Sequence, residues 1–246
     1  MSNAYFVSDV HLGSNDDPRF FLFLSWLKSV NPSKKLTHLF MVGDIFDLWI
    51  ANHSTFIRQY EEIIHELKRI VEEGVEVHYF EGNHDLYLEH FWQNKLGVHV
   101  HKKGQLFNLS GYKVYIEHGD QMDPNDKWYL ALRWFLRTPM MKHFALHAPE
   151  KFIEWIGTKA KDKSRYYTSN VKTIDENQAK QVIRSHVEKL SEVVDFDLHI
   201  SGHVHVREDY SFSKEDRAIR VVNLGSWLDK PGYFNLNDEN QMFCDL

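Results

Sequence analysis

The chain is poor in cysteine: Cys244 is the single one among 246 residues. One cysteine cannot build an internal disulfide framework or a cysteine-rich zinc cluster, so a reducing compartment is expected. Long apolar runs are missing too, since no uncharged stretch approaches the roughly 18 residues of a membrane helix, and Asp9 and His11 interrupt any signal-peptide core. These absences predict a cytoplasmic protein.

Positive charge is scarce overall, because 29 Lys and Arg face 35 Asp and Glu, a net charge of −6. This balance argues against a nucleic-acid-binding protein. The charge is uneven, however, since residues 127–165 carry nine Lys or Arg and three Asp or Glu, a local +6 that leaves −12 elsewhere. The same segment holds seven aromatic residues: Trp128, Tyr129, Trp134, Phe135, Phe144, Phe152 and Trp155. A basic, aromatic segment in an acidic protein needs its own explanation.

Hydrophobic residues make up 43% of the chain, enough for a substantial core. Strand patterns cover 5–7, 38–42 and 75–80, and helical patterns at 18–30 and 54–73 lie between them. Alternation of this kind predicts a largely parallel sheet covered by helices.

The rest of the chain continues with strands and one helical block. Strands are expected at 105–109, 113–117 and 197–201, and in later pieces around 206–212, 218–223 and 232–236. Segment 127–165 is mostly helical in period, broken by Pro139 and Pro149, and Thr173 is expected to cap a further helix. The pattern predicts one α/β domain over residues 1–246 with a helical insertion at 127–165.

Polar side chains follow five of the expected strands. They are Asp9, His11, Asp44, Asn83, His118, His203 and His205. Residues two apart near a strand end project to the same side, so Asp-x-His and His-x-His pairs can reach one site. Seven oxygen and nitrogen ligands suit two divalent ions bridged by one carboxylate. The small Gly43, Gly82 and Gly202 would let the backbone turn tightly beside the ions.

These residues form motifs of a known enzyme family. The motifs are Asp9-Val10-His11, Gly43-Asp44-Ile45-Phe46-Asp47, Gly82-Asn83-His84-Asp85, His118 and Gly202-His203-Val204-His205. With these five motifs in order over residues 9–205, the chain resembles the calcineurin-like metallophosphoesterases. The resemblance implies an α/β fold built as a two-layer β-sandwich flanked by helices, with a dinuclear site at the sheet edge.

The resemblance also implies how the ligands are shared. Asp9, His11, Asp44 and His205 would hold one metal, and Asp44, Asn83, His118 and His203 the other. The bridging Asp44 would thereby be catalytic. The two ions would activate a water as the nucleophile and neutralise charge on the phosphoryl oxygens. A ligand set rich in oxygen and nitrogen suits Mn²⁺.

Residues beside the ligands are expected to support them. By the same resemblance, His84 contacts the phosphate and assists the leaving group as a catalytic residue, unless it merely packs beside the site. Asp85 is expected to orient the His84 ring through its second nitrogen. Asp47 and Asp120 are expected to orient metal ligands from behind, or to cap local turns.

Over nearly its whole length the chain resembles one branch of this family, the UDP-2,3-diacylglucosamine diphosphatases of lipid A biosynthesis. The resemblance rests on residues 43–50 (GDIFDLWI), His118-Gly119-Asp120, Asp126, Tyr129, and the insertion before Asp175-Glu176-Asn177-Gln178. It implies a lipid-linked UDP-sugar as substrate, cleaved by water at the α-phosphorus into UMP and 2,3-diacylglucosamine 1-phosphate. The chain departs from the best-known members at His84, where they carry arginine, so another lipid-linked or nucleotide phosphoester stays open.

The basic, aromatic insertion fits such a substrate, because acyl chains and a diphosphate call for an apolar pocket rimmed by cations. Substrate contacts are expected from Asn83, His84, Asp126, Tyr129, Trp49, Arg133 and Arg137, unless Trp49 just closes the core. The insertion could also touch the anionic inner membrane surface transiently, or its aromatic residues could simply form the core of a helical hairpin. Lys163, Ser164 and Arg165 could reach a phosphate or the uridine, or form a solvated face.

Two other classes of function stay open. A nuclease or nucleotide phosphodiesterase would be helped by a continuous basic groove, which the acidic body disfavours. A non-enzymatic interaction module on the same fold should have lost metal ligands, yet all seven positions hold competent residue types. We therefore expect neither a nucleic-acid nor a protein partner.

Overall fold

Two β-sheets pack face to face in the structure, a computed structural model that describes residues 2–30, 36–159 and 175–246. The strands are β1 Ala4–Val7, β2 His38–Met41, β3 Trp49–Ile50, β4 Glu76–Phe80, β5 Asp85–Leu86, β6 His99–His101, β7 Gln105–Leu109, β8 Tyr112–Ile116, β9 Leu198–Ser201, β10 Glu208–Lys214, β11 Arg217–Asn223, β12 Gly232–Leu236 and β13 Gln241–Asp245. One sheet has the order β13-β12-β1-β2-β4-β6 and the other β10-β11-β9-β8-β7, while β3 and β5 form a small separate pair.

Helices flank the two sheets. They are α1 Pro18–Ser29, α2 Ser54–Gln59, α3 Glu61–Glu72, α4 Trp92–Leu96, α5 Lys127–Leu136, α6 Pro139–His147, α7 at 150–159 and α8 Glu176–Ser191. The first sheet packs on α1 and α3, through residues such as Leu27 and Leu67, and α8 covers the second sheet through Ile183 and Val187. Phe6, Phe40, Phe80, Val114 and Ile200 fill the space between the sheets. The predicted two-layer sandwich flanked by helices is confirmed.

The first sheet is mixed rather than largely parallel. Strands β1, β2, β4 and β6 run parallel, as the strand–helix alternation predicts, but β12 pairs antiparallel with β1, and β13 pairs antiparallel with β12. Because β1 and β12 are far apart in sequence, no local sequence pattern predicts their pairing. Strand β13 at the far edge was not predicted at all.

Two helix boundaries differ from expectation. The single helix expected over 54–73 is divided at Tyr60, whose backbone leaves the helical region (φ −113°, ψ 25°) while its hydroxyl donates to Leu12 O at 2.6 Å. Thr173 lies outside the described residues, and α8 begins instead after Asp175, whose carboxylate accepts from two backbone N–H groups of the first turn.

The helical insertion projects its apolar residues outward. Helix α5 has no buried residue although most of its side chains are apolar, and α6 buries only Ala145. Lys163, Ser164 and Arg165 lie outside the described residues. Within the described chain, no helix is both long enough and apolar enough to pass through a membrane.

Candidate dinuclear metal centre

The carboxyl ends of the central strands present the predicted ligands in an unusual backbone conformation. Asp9, His11, Asp44, His203 and His205 all have positive φ, between 50° and 68°. This left-handed region is uncommon for residues other than glycine, and it persists only where the surrounding structure enforces it. Five such residues at one edge of the fold therefore mark a functional site.

Glycines create the space in which these loops meet. A Cβ on Gly82 would stand 2.0 Å from Asp44 Oδ1, and one on Gly202 would stand 2.3 Å from Asp9 Oδ2. Gly43, at φ +85°, would place a Cβ 2.3 Å from His118 Nδ1. The small glycines before three of the ligands therefore allow the backbone to approach ligand side chains closely, and Gly43 also makes the expected tight turn.

The first predicted ligand group converges at Asp9. His205 Nε2 lies 3.2 Å from Asp9 Oδ1, and His11 Nε2 lies 3.8 Å from the same oxygen. The two imidazole Nε2 atoms are 3.1 Å apart. Neighbouring ligands that each stand about 2.1 Å from one ion are separated by roughly 3 Å, so the spacing fits a shared cation.

The second predicted group surrounds His118. His118 Nε2 lies 3.2 Å from Asn83 Oδ1 and 3.5 Å from Asp44 Oδ2, and the ligand atoms of Asp44, His118 and His203 all lie within 4.8 Å of one another. His118 Nδ1 donates to Val42 O at 2.8 Å. Because a carbonyl only accepts, the proton sits on Nδ1 and Nε2 is left to face the site.

Asp44 stands between the two groups. Its Oδ2 is 3.5 Å from His118 Nε2 and 4.0 Å from His11 Nε2, while Oδ1 accepts from His84 N at 3.0 Å. Burial alone would raise the pKa of Asp44, but the facing His118, His84 and His11 hold it well below its usual range. Asp44 is therefore ionised and reaches both ligand groups, as a bridging carboxylate must.

The donor set fits divalent cations. Asp9 Oδ1 is buried without a well-formed hydrogen bond, although the predicted co-ligand His205 Nε2 stands 3.2 Å away, and such an oxygen is costly without a cation. Burial lowers the pKa of His203 to about 4, reinforced by repulsion from His118, so its ring is neutral and able to bind a metal. The residues present are those that two ions would require.

The sequence model of calcineurin-like phosphoesterases matches residues 3–207, which is most of the chain. The chain belongs to the calcineurin-like phosphoesterase family. It is accordingly a metal-dependent phosphoester hydrolase with a dinuclear site, and the predicted enzyme class and family are confirmed.

Several curated relatives share nearly the whole length of this phosphoesterase. A UDP-2,3-diacylglucosamine hydrolase of Porphyromonas gingivalis is 27% identical over 94% of this chain and 93% of its own length. A protein of the same name from Haemophilus influenzae is 28% identical over 92% and 91%. Among solved structures, an archaeal phosphodiesterase covers 99% of this chain and 98% of its own at 13% identity, with a TM-score of 0.49.

His84 of the phosphoesterase is oriented by a different partner from the one predicted. Its Nδ1 donates to the backbone carbonyl of Asp47 at 2.6 Å, which leaves Nε2 free to face the metal loops. Asp85 lies behind the loop instead, where it accepts from Ile45 N at 2.9 Å and Tyr79 OH at 2.8 Å. The expected Asp85–His84 contact was therefore wrong, because the Asp85 carboxylate is occupied in the core.

The two other supporting carboxylates face different neighbours. Asp47 Oδ1 lies 3.6 Å from His11 Nδ1, which places it behind a predicted ligand as expected. Asp120 accepts at 2.6 Å from both Tyr129 OH and Arg133 Nε. Asp120, two positions after the predicted ligand His118, thus joins the insertion to the metal loops, a role that the sequence did not predict.

The expected substrate contacts fall into two groups. Tyr129 and Arg133 are held beside the metal loops by their hydrogen bonds to Asp120. Arg137 donates to Gly82 O at 3.2 Å, next to Asn83 and His84. All of these side chains border the metal centre. Their contact with a substrate stays a prediction.

Trp49 and Asp126 have other contacts. Trp49 is fully buried among Phe46, Tyr60 and Trp92, and its indole N–H donates to Ala51 O at 2.8 Å. The expectation that Trp49 meets substrate was therefore wrong. Asp126 is exposed and caps α5 by accepting from Tyr129 N at 3.0 Å, so its observed role is structural.

One anchoring residue carried no signal in the sequence. Glu150, at the start of α7, accepts from Ser54 N and from Thr55 Oγ1, each at 2.9 Å, and so ties the insertion to the start of α2. Its neighbour His53 lies 2.6 Å from Ala145 O. A glutamate at a helix start is too common to single out from sequence alone.

Proposed function

We propose that this phosphoesterase hydrolyses the pyrophosphate of UDP-2,3-diacylglucosamine at the α-phosphorus. A water adds to that phosphorus, the bond to the bridging oxygen breaks, and UMP and 2,3-diacylglucosamine 1-phosphate leave. The curated relatives named for this substrate support the proposal, because their similarity covers over 90% of the chain and includes the insertion.

The exposed apolar insertion beside the metal centre is the observation that carries the proposal. Of the 14 large hydrophobic residues that are exposed in the described chain, eight lie between 127 and 159. Trp128 is 89% exposed and Trp134 is 71% exposed, both on α5. Such a concentrated apolar surface marks a binding site for an apolar ligand, and acyl chains have that chemistry.

The same helix reaches the metal centre. Arg133 and Tyr129 are fixed on Asp120, and Arg137 is fixed on the Gly82 carbonyl, within one to two residues of predicted ligands. One face of α5 therefore borders the predicted phosphate site while another exposes tryptophan. A substrate with a diphosphate head and two acyl chains matches both faces.

The chain's own groups would orient the substrate around the two ions. Two divalent cations bound by the seven ligands, for which Mn²⁺ is the best match to the donor set, would activate a water and neutralise phosphoryl charge. His84 Nε2, left free by the bond of Nδ1 to Asp47 O, would hydrogen-bond a phosphoryl or leaving oxygen. Arg137 would add a fixed positive charge beside it.

We also propose that the insertion contacts the cytoplasmic face of the inner membrane while it collects its lipid substrate. The local charge of +6 over 127–165 favours an anionic surface, to which each basic residue contributes about 1 kcal/mol. Exposed Trp and Phe beside these charges suit the membrane interface.

The test is UMP release from UDP-2,3-diacylglucosamine by Mn²⁺-loaded protein, with an unacylated UDP-sugar and an aryl phosphate in parallel. We expect a preference for the acylated substrate of at least about 100-fold in kcat/KM. Equal rates on all three would refute the lipid assignment and leave a phosphoesterase for another lipid-linked or nucleotide phosphoester, with His84 as the residue that marks the divergence. Protein that binds no metal would instead indicate a scaffold.

A further inference from the structure

A second group of imidazole and carboxylate side chains lies at the opposite ends of the strands. His38 and Glu76 are the first residues of β2 and β4, whereas the predicted catalytic ligands follow the last residues of these strands. Strands of this length separate the two groups by more than about 13 Å. His38 pairs with Glu76 across the parallel ladder, and His78, two residues further on, projects from the same face of the sheet.

The ligand atoms of these three residues surround a common point. Glu76 Oε2 is 3.7 Å from His38 Nε2 and 3.8 Å from His78 Nε2, and the three ligand atoms lie within 4.8 Å of one another. Both distances are too long for hydrogen bonds. They are close to the roughly 3.4 Å that separates two ligands of one tetrahedral ion.

The proton on His38 is placed by its neighbours. Thr37 Oγ1 donates its proton to Asn3 O at 2.9 Å and accepts from Asn3 N at 2.9 Å. Toward His38 Nδ1, at 2.8 Å, the Thr37 hydroxyl can therefore only accept. His38 must carry its proton on Nδ1, and its Nε2 has a free lone pair.

His78 supplies a buried nitrogen that lacks a partner. Its side chain is 7% exposed, and Nε2 makes no hydrogen bond. Phe40 stacks on the ring at 4.6 Å and Phe107 contacts it edge-on at 5.1 Å, which fixes the ring plane. Burial lowers the pKa of His78 to about 3, with further repulsion from nearby histidines such as His101, so the ring is neutral. Its Nδ1 lies 3.0 Å from His101 Nε2. A neutral, immobilised ring that donates its Nδ1 proton to His101 presents the lone pair of its unsatisfied Nε2 to a metal.

We propose that His38, Glu76 and His78 form a third cation site, which takes Zn²⁺ or a transition metal of similar preference. Two imidazole nitrogens and one carboxylate oxygen are a typical zinc donor set, with the fourth position left to water. Because these residues come from β2 and β4, a bound ion would join neighbouring strands of the central sheet. Its effect would be on stability rather than on turnover, and it does not depend on the proposed substrate.

A comparable trio elsewhere in the fold lacks this character. Glu117 Oε1 lies 2.7 Å from His186 Nε2 and 3.0 Å from His199 Nε2, so both ring nitrogens are satisfied by hydrogen bonds to one oxygen. Hydrogen bonds alone account for that arrangement. At His78 the corresponding nitrogen has no such partner.

The experiment counts zinc per chain by mass spectrometry after equilibrium dialysis, for wild type, Glu76→Gln, His38→Gln and His99→Gln. His99 is the matched control, because its exposed ring lies 5.0 Å from the His78 ring but its nitrogens are outside the trio. We expect the wild type and H99Q to bind one more zinc than E76Q and H38Q. Affinity should fall by more than about 100-fold, since even a hydrogen-bond partner of a ligand contributes roughly 10- to 100-fold.

Two further measurements complete the test. Crystals soaked in zinc should show anomalous density beside His38 Nε2 and His78 Nε2, and this density should be absent in E76Q. Zinc should also raise the melting temperature of the wild type more than that of E76Q. Glu76 is 61% exposed on its side chain, so E76Q should fold and keep phosphoester activity. Equal zinc counts in all four proteins, an equal loss in H99Q, or density only at the dinuclear centre would overturn the proposal.

Discussion

The metal loops and the helical insertion depart from the usual distribution of side chains in opposite directions. At the loops, charged and polar groups are buried: Asp9 is 0% exposed, Asp44 1% and His118 4%. On the insertion, by contrast, Trp128 and Trp134 are among the most exposed large hydrophobic side chains of the described residues. Ordinary folding places each kind of residue the other way round.

Neither region is optimised for the stability of the isolated chain. Buried carboxylates cost free energy unless a counter-charge offsets them, and exposed tryptophans lose the burial that would stabilise them. Cations offset the buried charge at the loops, and the proposed lipid substrate would cover the apolar side chains of the insertion. The two surfaces touch at Asp120 and Gly82, so a single molecule with a charged head and an apolar tail would complete both.

Removing the charge of the bridging carboxylate at the metal loops should lower activity more than any other substitution considered. Asp44→Asn keeps the shape of the side chain but weakens both ion sites, and we expect kcat/KM to fall by at least about 1000-fold, since the ions contribute several kcal/mol. Metal content and UMP release measure the effect. Asp238→Asn, on an exposed loop, is the control, and D44N turnover within tenfold of wild type would show that Asp44 is misassigned.

The tight packing of the loops can be tested without touching a charge. Gly82→Ala puts a methyl group 2.0 Å from Asp44 Oδ1, so the loop must shift and we expect activity to fall about 100- to 1000-fold. Gly157→Ala is the matched control in α7, because its nearest contact would be Phe56 at 3.8 Å. G157A should leave activity intact and stability unchanged or raised by up to about 1 kcal/mol. Equal effects of the two substitutions would contradict the packing argument.

His84 separates substrate chemistry from metal binding. His84→Ala should lower turnover by about 100-fold, because a positioned proton donor contributes at least that much, while both metals stay bound. Kinetics combined with metal analysis of the same preparation decide the matter. Loss of metal from H84A would instead show that His84 is a metal ligand. Its ligand atom lies within 4.8 Å of those of His11 and Asp44, which is close enough for that role.

Substitutions on the insertion should lower activity less than those at the metal loops, and only with the acylated substrate. Replacing both Trp128 and Trp134 by Gln removes two large apolar contacts, and we expect kcat/KM to fall about tenfold for the acylated substrate and not at all for an aryl phosphate. Phe21→Gln serves as control, because Phe21 is 59% exposed on α1, outside the insertion. A parallel loss on both substrates would mean that the tryptophans support the fold.

The two regions also differ in how far sequence alone predicted them. The ligands were predicted because the central strands are local patterns and their polar ends lie in short motifs around Asp9, Asp44 and His203. The contact that orients His84 was missed, since it uses the backbone carbonyl of Asp47, and a carbonyl leaves no mark on residue identity.

Trp49 shows the opposite error. It lies within residues 43–50, a stretch on which the family resemblance rests, yet Phe46, Tyr60 and Trp92 enclose it completely. Proximity in sequence to a site does not give the direction of a side chain, which is set by contacts with residues far along the chain. The insertion was predicted as helical, but its outward apolar face became apparent only from the fold.

The smallest effect is expected at the ion pairs that hold α6 to the body. Glu89 binds Lys142 of α6 and Lys102, which follows β6. Although burial opposes it, these lysines lower the pKa of Glu89 to about 2 from an ordinary 4.5. A lowered pKa in the fold contributes stability above about pH 4.5 that is lost as the pH falls toward 2.

The Lys102 and Lys142 side chains are 48% and 35% exposed, so solvent and salt screen the pairs. We therefore expect Glu89→Gln to lower the free energy of unfolding by no more than about 1 kcal/mol at pH 7, and less at high salt. Urea unfolding at pH 7 and pH 3 measures it, with exposed Glu62→Gln on α3 as control. A larger loss that persists at high salt would mean that Glu89 holds the insertion through packing rather than charge.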